Sequence, residues 1–68
     1  MKLVPVVCKN DVSTIINKIQ DFLDKGSIIK GMHLVDHTDD QVVLLICDQP
    51  ISKEMAEIFW TGYQTALG

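Results

Sequence analysis

Six consecutive apolar residues, Val42-Val43-Leu44-Leu45-Ile46-Cys47, lie between the polar tract His37-Thr38-Asp39-Asp40-Gln41 and the stop signal Asp48-Gln49-Pro50. The run has the length of a strand and is bounded by turn chemistry at both ends. Because side chains alternate across a strand, both of its faces are apolar, and a strand of that kind is buried on both sides. It therefore belongs in the centre of a sheet, and something has to cover each face.

The rest of the chain supplies the neighbours. Leu3 to Cys8 is a short β-branched run, and Pro5, which cannot donate a ladder hydrogen bond, assigns it to a sheet edge. Asn10 or Asp11 offers an N-cap, after which Val12, Ile15, Ile16, Ile19, Phe22 and Leu23 recur at three- and four-residue spacing. Lys25-Gly26 ends the pattern, so a helix is predicted over roughly residues 11–25. Residues 27–36 read as a second strand, with Gly31 marking a bulge or bend. Ser52 caps a second helix carrying Met55, Ile58, Phe59, Gly62 and Ala66 on one stripe, with Ala56, Trp60, Tyr63 and Leu67 widening the apolar arc.

The order is β-α-β-β-α in a single domain spanning 1–68. A right-handed crossover through the first helix makes strands one and two parallel with a gap between them, and strand three fills the gap antiparallel to both. The expected fold is α+β: a three-stranded antiparallel sheet in order 1-3-2 with two helices on one face. It is ferredoxin-like but lacks the last strand, an analogy that carries no function.

Composition excludes several classes of function. The 68 residues are 47% hydrophobic, too apolar for a disordered segment. Nine acidic residues stand against six basic ones, all lysine and scattered, for a net charge of −3. Without arginine, the usual grip on phosphate and guanine edges is missing, so neither nucleic acid nor an anionic membrane is an expected partner. No apolar run approaches the roughly 18 residues of a membrane span, and Leu3 to Cys8 is too short for a signal peptide's apolar region. With Cys8 and Cys47 read as buried reduced thiols, a cytoplasmic protein is expected.

The stretch His33-Leu34-Val35-Asp36-His37-Thr38-Asp39-Asp40 has the densest set of metal-ligating types. On a strand at about 3.3 Å per residue, however, His33 and His37 start roughly 13 Å apart. A calcium loop from Asp36 fails at Gln41, where glycine is needed, and at Cys47, where glutamate is needed. No metal and no cofactor is expected, and with neither a phosphate loop nor a nucleophile elbow the chain reads as no enzyme.

What remains is surface. If both helices share one face, one row of strand three is left open, either Val42, Leu44 and Ile46 or Val43, Leu45 and Cys47; the second is taken as the homo-oligomer interface, a dimer being favoured, unless a terminal segment tucks around it. Trp60, Tyr63, Ala56 and Leu67 form a flank of the second helix suited to a protein partner. Asp36, His37, Asp39 and Asp40 are candidate ligand or charged-loop contacts. The leading function is a protein-interaction module, a regulator, adaptor or stoichiometric inhibitor. The alternative is a regulatory module binding a small neutral or cationic ligand in a pocket at the subunit interface, built from loops such as 24–31 and 36–41.

Overall fold

The computed structural model describes residues 1–67, with the side chain of Leu67 outside the described set. Five elements follow in order: β1 (Leu3–Lys9), α1 (Val12–Asp24), β2 (Gly31–His37), β3 (Gln41–Cys47) and α2 (Lys53–Leu67). The sheet order is β1-β3-β2, antiparallel at both pairings, as the apolar run and Pro5 require.

Hydrogen-bond parity explains why Pro5 is tolerated. Asn10 N–H donates to the Asp40 carbonyl at 2.8 Å and Asp48 N–H donates to the Lys2 carbonyl at 3.3 Å, so the even-numbered residues of β1 face β3. The odd-numbered ones, Pro5 among them, point their backbone groups outward, where a missing donor costs nothing. At the other end Thr38 builds the hairpin turn. Its N–H donates to the Gln41 carbonyl at 2.7 Å, and its Oγ1 accepts from Gln41 N–H at 3.0 Å.

Cross-strand partners share a face, so the register sorts the side chains into two layers. One face carries the rows Val4-Ile46-Met32 and Val6-Leu44-Leu34; the other carries Leu3-Cys47-Gly31 and Pro5-Leu45-His33. Ile15, Ile19 and Phe22 of α1 pack onto the first face against Val4, Val6, Leu44 and Ile46. Val43, Leu45 and Cys47, on the second face, are nevertheless only 9%, 3% and 0% exposed. Their cover is α2, which runs along β2 on that side.

The placement of α2 corrects the expectation of two helices on one face. Its lead-in crosses the second face where β2 begins: a Cβ at Gly31 would stand 2.6 Å from the Gln49 carbonyl oxygen. One pair further along, His33 Nε2 lies 2.7 Å from the Ile51 carbonyl oxygen. Gly31 therefore marks a close backbone approach. The bulge lies further on, between Leu34 and Asp36, with Val35 as the extra residue. The α+β class and the sheet order stand, with one helix on each face.

Each helix is capped by its own sequence. Asp11 takes an extended conformation and its Oδ2 accepts from Thr14 N–H and Thr14 Oγ1–H, both at 3.0 Å. At the C-terminus Gly26 adopts φ +81°, and Gly26 N–H to Leu23 O (3.0 Å) with Ser27 N–H to Phe22 O (3.1 Å) completes a Schellman motif. Ser52 Oγ accepts from Met55 N–H at 3.1 Å to start α2.

The Asp11 cap has a pH signature. The Thr14 backbone N–H, then the Thr14 hydroxyl, hold the Asp11 carboxyl below its ordinary value of 3.8. A depressed carboxyl contributes stability that is present above its unfolded pKa and is lost as pH falls through the folded one. Asp11→Ala is therefore expected to melt below wild type at neutral pH, with the two thermal midpoints converging as pH drops under 3.8. A gap that stays constant into acid would show that the cap does not act through its charge.

Candidate functional site

Each helix covers only part of its face. On the α1 side, Met32 and Leu34 of β2 remain 40% and 45% exposed, while their partners Ile46 and Leu44 are buried. At about 100° per residue, Val12, Ile16 and Leu23 lie together on one flank of α1, roughly 60–100° round from Ile15. All three are exposed. A right-handed β1-α1-β2 crossover turns that flank toward β2. The result is a groove walled by Val12, Ile16 and Leu23 and floored by Met32 and Leu34.

On the α2 side the uncovered strand is β1, where Val7 is exposed. Ala56 is fully buried, and Phe59 and Trp60 are half-buried beside it. The small alanine marks where α2 comes nearest the sheet. Met55, Ile58, Gly62 and Ala66 are all exposed and form a seam along the outer side of α2. A Cβ at Gly62 would meet nothing within 4 Å, so this part of the seam is open.

The expected partner flank is thus divided by the structure. Ala56 is the innermost residue of α2 and is corrected from a surface to a core position. Trp60 and Tyr63 stack with ring centroids 5.6 Å apart and planes inclined by 17°; Trp60 is half-buried, and Tyr63 is exposed. Leu67 falls outside the described side chains. Val43, Leu45 and Cys47 are corrected as an open oligomer row, because α2 lies over them. Helical spacing does not separate the six apolar residues of α1, and only Ile15, Ile19 and Phe22 reach the core, so the flank of Val12, Ile16 and Leu23 has no signal of its own in the sequence.

The hairpin tip is a separate, polar region. Asp36, His37, Asp39 and Asp40 are all exposed. Because Val35 is an extra residue, Asp36 faces the α2 side opposite Val43 while His37 faces the α1 side opposite Val42. His33 and His37, four residues apart, would share a face of a regular strand and here stand on opposite faces. Among the described residues, no three His, Cys, Asp or Glu side chains converge to hold a metal ion. Asp36 Oδ1 accepts from His37 N–H at 2.8 Å, a local bond that shapes the turn.

A cleft of about 380 Å³ opens at the other end of the sheet, lined by Val4, Phe22, Ile28 and Ile46 with Lys2 and Asp48 at its mouth. Asp48 Oδ1 accepts from Lys2 N–H at 2.9 Å, the main cause of a carboxyl held below 3.8. Loops 24–31 and 36–41 flank opposite ends of β2, about 20 Å apart by its seven residues. One subunit therefore cannot bring them into one pocket.

No helix among the described residues is long and apolar enough to cross a membrane. Set against known proteins, the chain matches no family model, no curated protein and no solved structure.

Proposed function

We propose that this chain is a cytoplasmic protein-interaction module, a regulator, adaptor or stoichiometric inhibitor that acts by binding rather than by catalysis. The observation that carries this reading is the outer seam of α2. Met55 and Ile58 are 46% and 63% exposed and share a side with Gly62 and Ala66, while the Trp60–Tyr63 stack lies round the helix from them, on the side of Ala56. Apolar side chains grouped at helical spacing on a small domain provide what a partner helix or groove needs: anchors to desolvate and a glycine that lets another backbone approach. Tyr63 adds an aromatic anchor with a polar tip. The acidic hairpin tip orients the partner by its charge.

Capture from a lysate, followed by reconstitution with the purified partner, tests the reading. Saturable binding is expected for wild type, and at least about tenfold weaker binding for Ile58→Lys, equivalent to ~1.4 kcal/mol, with an unchanged circular dichroism spectrum. Equal binding by Ile58→Lys would remove α2 from the interface. The cleft beside Phe22 and Ile28 supports the alternative, a small neutral or cationic ligand. A reproducible thermal-shift response to such a compound, with no protein partner found, would favour it.

A further inference from the structure

We infer that the groove on the α1 side seats a second copy of this chain, each α1 lying against the partner's β2 in an isologous dimer. The inference rests on the interaction-module reading and adds a symmetric partner on the face opposite the α2 seam.

The shape of the groove is the first support. Three strands span about 10 Å between outer strand axes, and a helix with its side chains is about as wide. With α1 over β1 and β3, the uncovered strip is one strand wide, floored by Met32 and Leu34. A twofold axis beside α1 lets the apolar flank of each helix overhang the other's bare strand. Both vacancies then close with one contact. Val12, Ile16, Ile19 and Leu23 recur at intervals of four, three and four, the spacing that lets two helices pack at a shallow crossing angle.

Charge is the second. An isologous contact brings rim groups near their own copies, so a charged rim would repel itself, the more so in a chain of net charge −3. Beyond the apolar flank, the exposed residues Ser13, Asn17 and Gln20 are uncharged. The one charge on this rim is Asp24 at its C-terminal end, whose Oδ1 accepts from Gln20 Nε2 at 2.8 Å while keeping its negative charge. Lys18, Asp21 and Lys25 lie on the opposite flank of α1, and Lys25 pairs with Asp21 at 3.0 Å. The bulge at Val35 sends the Asp36 carboxylate to the other face of the sheet and leaves His37 on the groove's own face, beyond Leu34.

Area is the third. The five groove residues expose on the order of 400 Å² of apolar surface, about half of the ~800 Å² each partner buries in a standard stable interface. The polar rim of α1 would have to supply the rest, as the polar rim does in such interfaces.

Sedimentation velocity on the full chain, from low to high micromolar concentration, tests the inference. A dimer is expected. Ile16→Lys and Leu34→Lys are expected to weaken it at least about tenfold. Asn17→Lys with Gln20→Lys, on the outward rim and away from the core, is expected to act in the same direction by placing like charges together, which keeps the test open if a groove variant fails to fold. Ile58→Lys on α2 is expected to leave association unchanged. A monomer at every concentration, a dimer indifferent to groove and rim changes, or a dimer lost through Ile58→Lys would each overturn the inference. A monomer that still binds a foreign partner through Ile58 would leave the interaction reading standing without it.

Discussion

Leu45→Ala is expected to destabilise the protein by about 2–5 kcal/mol, and Leu44→Ala by a similar amount, although the two side chains point to opposite faces of the sheet. Leu44 lies in the row Val6-Leu44-Leu34 beneath α1, and Leu45 in the row Pro5-Leu45-His33 beneath α2. They are 6% and 3% exposed. Each truncation removes buried methyl groups and leaves a cavity. A chain of 68 residues has a total stability of about 3–10 kcal/mol at ~0.05–0.15 kcal/mol per residue, so either change consumes much of it. Urea denaturation of both variants checks the point. A Leu45→Ala protein as stable as wild type would mean that α2 does not cover its face in solution.

Gly31→Ala is expected to cost about 1–3 kcal/mol or more, for a different reason. A Cβ there would stand 2.6 Å from the Gln49 carbonyl oxygen and 3.1 Å from the Ile51 amide nitrogen. Both are backbone atoms, so relief requires the lead-in of α2 to move. That movement would stretch the 2.7 Å contact between His33 Nε2 and the Ile51 carbonyl oxygen and lift Ala56 from the sheet. Damage should therefore concentrate in one layer. Amide exchange is expected to accelerate in α2 well before α1, whose contacts lie on the opposite face. Uniform acceleration throughout the chain would show that the two layers unfold together.

Two features of the chain dictate much of its architecture. The uninterrupted run from Val42 to Cys47 demanded a central strand, and Pro5 demanded an edge; with a right-handed crossover these leave one sheet order. The face taken by α2 was harder to read. Amphipathic spacing says that a helix buries one side, not which sheet face receives it. The deciding interactions are single atoms: the hydrogen that Gly31 has in place of a side chain, and the nitrogen that His33 presents to Ile51. A usable signal was present all the same. A strand apolar on both faces needs two covers, and the chain carries two helices. The inward side of α2 was also obscured by its broad apolar arc, in which bulk drew attention to Met55 and Ile58 while closest approach required Ala56. In α1 the same breadth concealed a division of labour. Ile15, Ile19 and Phe22 hold the core, and Val12, Ile16 and Leu23 are left free for contact.

The outward-facing proline of β1 bears on how assemblies of this chain can end. A strand border that recruits another strand presents a fresh border each time, and growth of that kind has no natural stopping point. Here one border is interrupted by Pro5 and the other is bent by the extra residue at Val35. Docking onto a broad side behaves differently: once occupied, it offers nothing further to the next arrival. If the chain assembles through its broad sides as proposed, the obstructed borders favour complexes of fixed number over filaments.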